Sequence, residues 1–394
     1  MRQLGPKSPV PSPTSAGTLA ILLLMAATAQ AQEEKQMPKA VERRAEADTA
    51  RDFVRLAFNF YDQSDGGGNE HLKEDMTVLE PQILVSKAIG EKWTGTVKLQ
   101  ADIISAASVD KRYRFAPGTQ SGASGDKFFG IDAGAFYAWS DQTTIGAGVS
   151  FSTEYDYRSL GAYAKWTYST ASKNDTFVVK ASGYFDTLDL ILFDGSEPGT
   201  DDRRSLSLGL GWSHVIGPRT VGTVNWDVTS QSGFLSTPYN SVVAAGTEVQ
   251  EVLPDSRLRN AFHVRVRHLL VDDLAIEGGL GAYFDDWGAT AFNVELAVHW
   301  EAIPEVLILR PSYRFHAQTE VDSFVSDGAT SIPEERTQDS DLASFTSHTF
   351  GLKAIFPHAR FLSDDMELEI GLDFTIRSDG LDSFGVTVGY VWRY

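Results

Sequence analysis

The feature of this sequence that most restricts its fold is a repeated alternation of apolar residues with polar or small ones, in segments of about ten residues. From Leu274 to Asp285, leucine, isoleucine and phenylalanine alternate with residues such as Glu277 and Gly279. From Met366 to Arg377, apolar side chains occupy every second position, with glutamate, aspartate, threonine or glycine between them. Successive side chains of a β-strand point to opposite faces, so each segment predicts a strand with one apolar and one polar face.

Soluble β-sandwiches also contain alternating strands, and three further features favour a membrane barrel. The polar faces carry many charges and glycines, the connections alternate in length, and the apolar faces end in aromatic residues: Trp139, Trp166, Tyr168, Trp212, Trp300 and Trp392. Aromatic residues at the ends of lipid-facing strands form the interfacial girdles of outer-membrane barrels. We therefore predict an all-β protein, a transmembrane antiparallel up-and-down β-barrel.

The breaks between segments predict the number of strands and the character of the two ends. Tight breaks lie near Gly90, Ser140, Ser172, Gly217, Val271 and Glu301, with a longer one at Pro357. The other connections fall between them, and several are long and polar, such as 236–256 and 321–341. Counting from Phe53 to Tyr394 gives about 16 strands, an even number that returns both chain termini to the periplasmic side. We predict short periplasmic turns and long extracellular loops.

The last segment, GVTVGYVWRY at 385–394, would expose a hydrophobic edge unless another strand or lipid covers it. In a closed barrel it pairs with the first strand, predicted at 51–61. The spacing of Thr387, Gly389, Trp392 and Tyr394 also resembles the C-terminal signal by which the outer-membrane assembly machinery recognises unfolded barrels. We predict that machinery, outer-membrane lipid and lipopolysaccharide as partners.

The first 31 residues have the pattern of an export signal. Arg2 and Lys7 precede the apolar run 19–28, and the triplet 29–31 offers small residues for cleavage. A membrane anchor is the competing interpretation, but the run is shorter than the roughly 20 residues that a spanning helix needs. We predict cleavage after Ala31, a charged periplasmic lead-in at 32–50 that is disordered or a short helix, and a barrel from 51 to 394.

Composition narrows the class of partners. The formal net charge is −19, and loss of Arg2 and Lys7 with the signal would make it −21, which disfavours binding to nucleic acid. With 0 cysteines, the chain has no disulfide framework and no thiolate metal site.

Six stretches carry a resemblance to a known family: 101–110, 154–159, 172–177, 233–242, 282–296 and 309–324. The most specific are the blocks GFLSTPY and YFDDWG, which begin at Gly233 and Tyr283. They resemble the bacterial outer-membrane proteins grouped as domain of unknown function 3570. The resemblance implies a Gram-negative outer-membrane barrel, and it brings no established activity and no catalytic residues.

The densest group of charges lies on the predicted inward faces of four consecutive strands between 262 and 316. It comprises His263, Arg265, Arg267, Glu277, Asp285, Glu295, His299, Arg310, Arg314 and His316. Two interpretations remain open. Charged rings and ladders set the selectivity of pores, so this wall could orient a solute. Alternatively, the same residues form ion pairs that only stiffen the wall of a polar lumen.

A second candidate is the glycine-rich stretch 61–70, where Asp62, Asp65, Asn69 and Glu70 are oxygen ligands of the kind that Ca²⁺ prefers. Their spacing fits no EF-hand loop, and a flexible hairpin has the same composition. We therefore predict no metal site and no cofactor.

The sequence contains no signature of a serine hydrolase, a zinc protease or a phosphate-binding loop. A barrel hydrolase would need a histidine beside a carboxylate or hydroxyl, and the pairs to consider are His316 with Glu295 and His348 with Ser347. We predict that the protein is not an enzyme. The predicted function is porin-like passage of small polar solutes, and the alternative is a docking barrel that anchors periplasmic or surface partners without an open channel.

Overall fold

The computed structural model describes residues 52–66, 75–106, 127–358 and 366–394. The predicted signal peptide at 1–31 and lead-in at 32–50 lie outside these ranges, as do Asn69 and Glu70 of the candidate calcium site. Within the described ranges, no helix combines the length and the apolar character needed to span a membrane.

The described residues form strands β1 to β18, numbered in chain order. The first nine are β1 (Phe53–Asp65), β2 (Met76–Ile89), β3 (Trp93–Ala106), β4 (Lys127–Ala138), β5 (Thr143–Thr153), β6 (Tyr157–Ser169), β7 (Asp175–Leu190), β8 (Gly199–Gly217) and β9 (Thr220–Gly233). The others are β10 (Ser241–Ala244), β11 (Thr247–Gln250), β12 (Ser256–Val271), β13 (Leu274–Asp285), β14 (Thr290–Ile303), β15 (Leu307–Gln318), β16 (Phe345–Phe356), β17 (Met366–Arg377) and β18 (Leu381–Arg393). All strands except β10 and β11 close into one antiparallel barrel, which confirms the predicted fold class and the count of 16 strands.

The barrel closes through its first and last strands. β1 and β18 pair without interruption from Phe53 opposite Arg393 to Asp65 opposite Leu381. Each other barrel strand pairs with its neighbours in sequence, except that β9 pairs with β12 because β10 and β11 form a separate hairpin. The backbone of every barrel strand is therefore paired on both sides, and the described barrel has no exposed edge.

The two faces of the barrel differ in the way that the alternation predicts. Leu280 on β13 is 61% exposed on the outer face, whereas Glu277, which faces inward on the same strand, is 6% exposed. Large exposed apolar side chains occur around the whole circumference, among them Leu56, Val97, Val149, Leu206, Val264, Leu296, Leu352 and Leu372. In water, an exposed apolar surface of this extent would cause the protein to associate. In a membrane, the same surface is in contact with the lipid chains. The arrangement is that of a transmembrane barrel.

The two ends of the barrel carry different connections. One end, which we call the turn end, holds Phe53, Arg393 and seven connections: 90–92, 139–142, 170–174, 218–219, 272–273, 304–306 and the one between β16 and β17, of which residues 357–358 are described. These correspond to the seven breaks predicted from the sequence. Trp139, Trp166, Trp212, Trp300 and Trp392 are all exposed near this end, as a girdle requires. The opposite end, the loop end, holds the long connections.

Two long connections at the loop end fold together into a structure that we call the cap, consisting of 234–255 and 319–344. The sequence predicted long polar loops here. Instead, β10 and β11 form a hairpin whose turn residues Ala245 and Gly246 both have positive φ, 50° and 73°. Such a two-residue turn suits the twist of a tight hairpin. The Ala245 N–H donates to the Ala329 carbonyl at 2.7 Å, which joins the hairpin to the second loop.

The cap also contacts other connections at the loop end. The Tyr239 hydroxyl donates to Asp156 in the connection between β5 and β6. The Asp322 N–H donates to the carbonyl of Trp287, between β13 and β14, at 2.8 Å. Tyr239 is 1% exposed and Trp287 is 6% exposed. The cap is therefore a packed unit that joins connections from several parts of the barrel rim.

A buried carboxyl group lies within the cap. Glu251 is 2% exposed and accepts hydrogen bonds from the Thr237 N–H at 2.7 Å and from the Thr337 hydroxyl at 2.6 Å. Burial, with the nearby Asp339 carboxylate, raises the pKa of Glu251 to about 7.

Candidate functional site: a charged wall in the lumen

The candidate site is built by the register of four neighbouring strands, β12 to β15. Arg265, Gly279, Glu295 and Arg314 are direct partners across this sheet, one from each strand. Gly279 has no side chain, so Arg265 reaches over β13 and its Nη2 lies 3.1 Å from Glu295 Oε2. A Cβ at position 279 would lie 3.3 Å from both Glu295 Cβ and His263 Nε2, so a larger residue there would crowd these two side chains.

Glu277 is the centre of the group, which we call the arginine wall. Its Oε2 accepts from Arg267 Nε at 2.9 Å and Nη2 at 2.7 Å. Its Oε1 lies 3.3 Å from both Arg265 Nε and Arg310 Nη2, and His299 Nε2 lies 3.6 Å from Oε2. The Glu277 side chain is 5% exposed, and three guanidinium groups compensate the desolvation of its carboxylate.

Glu295 is the second carboxylate of the arginine wall and is more accessible, with a side chain 30% exposed. Besides Arg265, it contacts His263 Nε2 at 3.4 Å and Arg314 Nε at 3.6 Å. Glu277 and Glu295 thus share Arg265, which joins the two halves of the wall.

The arginine wall carries more positive than negative charge. Its four arginines, Arg265, Arg267, Arg310 and Arg314, face only two glutamates. The side chains of Arg267 and Arg314 are 46% and 48% exposed, so both present guanidinium groups to the lumen while they pair with glutamate. A recess of about 220 Å³, lined in part by Arg310, Arg314, Ser312 and Thr349, opens beside them. The arrangement can attract an anionic group and hold it beside fixed hydrogen-bond donors.

Asp285 and His316, two of the predicted lumen residues, have different surroundings. The Asp285 side chain is 0% exposed and pairs with Arg257, and its Oδ1 accepts from the Trp287 and Ala289 N–H groups at 3.1 and 3.0 Å. It therefore fixes the turn after β13 and does not face open lumen, which corrects its assignment to the charged lining. His316 contacts Gln318 at 3.3 Å, while Arg314 is the partner that lies opposite Glu295.

The two histidine pairs considered for a hydrolase are not formed. His316 contacts Gln318, as above. His348 Nδ1 lies 2.8 Å from the Tyr313 hydroxyl. Ser347 and His348 are consecutive strand residues and point to opposite faces of β16.

Sequence reasoning missed further inward charges on both sides of the arginine wall. Glu369 on β17 contacts Lys353 at 3.4 Å and Arg55 at 3.5 Å, and Glu367 contacts Arg393 at 3.2 Å. Lys98, Lys165 and Lys180 also face inward, on β3, β6 and β7. The signal was present, because all these residues occupy polar positions in alternating segments. The sequence cannot show which strands lie close enough for their charges to interact.

The described residues of the candidate calcium site lie in the first strand of the barrel, and those of the predicted assembly signal lie in the last strand or directly after it. Asp62 and Asp65 belong to β1, and Asp62 accepts from the Thr77 hydroxyl at 2.7 Å. Across the described part of the chain, no cluster of three or more histidine, aspartate or glutamate residues could hold a metal ion. Of the predicted assembly signal, Trp392 and Tyr394 are exposed on the outer face, 42% and 50%, and Thr387 and Gly389 occupy inward positions of β18.

The chain is similar to solved structures of outer-membrane barrels. A bacterial polysaccharide outer membrane secretin matches with a TM-score of 0.51 and 11% identity, over 87% of this chain and 99% of that one. The siderophore receptor PirA from Acinetobacter baumannii matches with a TM-score of 0.45 and 10% identity over 82% of this chain, which spans 52% of the receptor. A BenF-like porin from Pseudomonas fluorescens Pf-5 matches with a TM-score of 0.44 and 8% identity, over 88% and 99% of the two chains. At these identities the similarity concerns the fold alone. Of these three structures, the secretin is the one with a TM-score above 0.5, and it supports the barrel fold.

No curated protein matches the sequence. The model of a family described as protein of unknown function, DUF3570, matches residues 119–374. This match covers more than half of the chain and confirms the resemblance found in the sequence. The protein therefore belongs to the DUF3570 family.

Proposed function

We propose that the protein is an outer-membrane channel for the passive or facilitated passage of small polar solutes. The observation that carries this proposal is the contrast between the faces of the closed barrel: an apolar surface outside and the arginine wall inside. Barrels of about 16 strands are wide enough to leave an aqueous lumen. A wall with four arginines and two glutamates would favour anionic solutes or anionic groups of larger solutes.

The proposed location rests on the predicted export signal, and the proposed orientation rests on the different connections at the two ends of the barrel. The predicted export signal at 1–31 would deliver the chain to the periplasm of a Gram-negative cell, and barrels of this class have short periplasmic turns. The turn end would then be periplasmic, and the cap would face the outside of the cell. In this orientation a solute entering from outside passes the cap before it reaches the arginine wall.

Single-channel recording of the folded protein in planar bilayers tests this function. We expect stepwise conductance, and we expect replacement of Arg265, Arg267, Arg310 and Arg314 by glutamine to shift the ion selectivity towards cations. The shift should be larger at low ionic strength, because salt screens lumenal charge over about 10 Å at 0.1 M.

A matched control removes positive charge outside the lumen. Arg158 and Arg219 are exposed residues at the loop end and the turn end, paired with Asp189 and Asp272 at 3.4 and 3.3 Å. Replacing both by glutamine should leave selectivity unchanged. If the quadruple variant conducts with the selectivity of the wild-type protein, the arginines act only as supports of the wall.

A docking barrel is the second candidate, and the cap is the observation that favours it. Val242, Ala244 and Val325 form a buried apolar cluster that joins the two loops of the cap. An ordered surface of this kind could bind a protein or carbohydrate partner. Protein that is folded and heat-modifiable on gels but never conducts would favour this function over the channel.

A further inference from the structure

Two lysines face each other on the inner wall, separated from the arginine wall by β8 and β9. Lys165 on β6 and Lys180 on β7 are direct cross-strand partners. Lys165 is only 7% exposed, and the adjacent Trp166 is exposed on the outer face, so the lysine points inward. The Cβ atoms of direct antiparallel partners lie about 4.5–5.5 Å apart, and like charges in this position destabilise a sheet.

The pair lacks the compensation found elsewhere in the lumen. Among the residues that the structure describes, neither Lys165 nor Lys180 forms an ion pair, whereas Lys353 lies 3.4 Å from Glu369. Each lysine also lies near an aromatic ring. Lys165 Nζ lies 5.9 Å from the centre of the Phe136 ring, and Lys180 Nζ lies 5.0 Å from that of Tyr163. Contacts of this kind contribute less than a carboxylate at hydrogen-bond distance.

Carboxylates do act on Lys180, from Asp132 and Asp227, but beyond ion-pair distance. Lys180 is the like charge directly opposite Lys165, so the two ammonium groups repel each other. Two ammonium groups with six N–H donors between them therefore share one part of the wall without an acceptor charge in contact.

Glycines shape the wall beside the pair. Gly146 lies directly opposite Lys165 on β5, and Gly148 lies opposite Tyr163. A Cβ at Gly146 would collide with the ring of Phe136, and a Cβ at Gly148 would collide with the ring of Tyr163. Both rings thus pack down onto the backbone of β5 and form an aromatic floor beside the lysines.

We propose that Lys165 and Lys180 form a lumenal subsite that binds a small oxyanion, the carboxylate or phosphate group of a solute, beside the floor made by Phe136 and Tyr163. The subsite rests on the proposed function, because a solute must reach the lumen to occupy it. An oxyanion between the two ammonium groups accepts a charge-assisted hydrogen bond from each and replaces their repulsion with attraction. Together with the arginine wall, it provides a second point of attraction for an anion inside the barrel.

Binding of two probes to the full, detergent-folded protein tests the subsite without requiring conduction. Isothermal titration calorimetry at fixed pH and ionic strength would measure inorganic phosphate and, separately, succinate. We expect the wild-type protein to bind at least one probe, and Lys165→Met, Lys180→Met and the double variant to raise its Kd by about tenfold or more, since each loses a charge-assisted hydrogen bond. Binding of phosphate alone or of succinate alone identifies the oxyanion class.

The matched control is Lys98→Met, which removes an inward lysine that donates to Gln100 at 2.7 Å and lies outside the pair. Its Kd should stay within about twofold of wild type. Heat-modifiable migration checks that each variant is folded, and Lys165→Gln replaces Lys165→Met if that variant does not fold.

Absence of binding by the wild-type protein, or equal loss in the Lys98→Met control, would overturn the subsite. The channel and the subsite can be refuted separately. If the protein binds an anion through the two lysines but never conducts, the channel proposal is wrong and the subsite stands. If it conducts but binds neither probe, the subsite proposal is wrong and the channel stands.

Discussion

Leu372 offers a direct test of which face of the barrel meets lipid. It lies near the middle of the 12-residue strand β17, is 44% exposed, and has Leu352 and Val386 as its cross-strand partners. An arginine at the midplane of a barrel's lipid face costs roughly 2–4 kcal/mol. We therefore expect Leu372→Arg to lower the free energy of unfolding by about that amount.

The adjacent inward position provides the control. A Cβ at Gly371 would have Thr387 Cβ and Lys353 Cε as its nearest neighbours, at 3.6 and 3.8 Å, which are ordinary contact distances. Gly371→Ser should therefore change stability by less than about 1 kcal/mol. Thr387→Arg carries the same guanidinium to the inner face opposite Gly371, where Glu369 and Asp373 flank it on β17, and it should also be tolerated.

The assay is equilibrium unfolding in lipid vesicles by denaturant, followed by the fluorescence of the 8 tryptophans. Equal sensitivity of Leu372 and Gly371 would indicate a sheet buried on both faces and would refute the barrel. A stable Leu372→Arg variant would show that this face does not meet the hydrocarbon region.

Two further predictions concern assembly and the cap. Deleting Tyr394, or changing Trp392 and Tyr394 together to serine, should sharply reduce heat-modifiable protein in the outer membrane, with degraded material in the periplasm; normal assembly of both variants would contradict the proposed signal. The raised pKa of Glu251, about 7, means that the cap is most stable when this carboxyl is protonated, below its unfolded pKa, and loses stability as pH rises through about 7. Limited proteolysis within 234–255 should therefore accelerate by about tenfold or more between pH 5 and pH 8, and Glu251→Gln should remove most of this pH dependence. An equally steep pH dependence in Glu251→Gln would assign it to another group.

The sequence predicted the barrel well because the features that define its strands and turns are local in the chain. Strand alternation and turn residues are both read within about ten residues, and the alternation places Leu280 outside and Glu277 inside without any tertiary contact. The pairing of β1 with β18 followed from the need to leave no edge exposed. The same reasoning found Arg265, Glu277, Glu295 and Arg310 as inward charges.

The cap shows what local information leaves out. Its hairpin had a weak sequence signal, the short apolar run 242–245 followed by Gly246, but its order depends on contacts with a loop about eighty residues away. Asp285 is a similar case: alternation places it on the inner face, and only the fold shows that Arg257 and two backbone N–H groups enclose its carboxylate.

The sequence by itself determined which residues face lipid and which face the lumen, because the period of a strand fixes the side on which each residue lies. Only the tertiary structure decided which inward charges meet. Register places Arg265 beside Gly279, so that its guanidinium reaches Glu295 on the next strand, and it places Lys165 opposite Lys180 with no carboxylate in contact among the described residues. Coulomb interactions depend on separations of a few ångströms, and those separations arise from strand pairing and side-chain reach rather than from the order of residues along the chain.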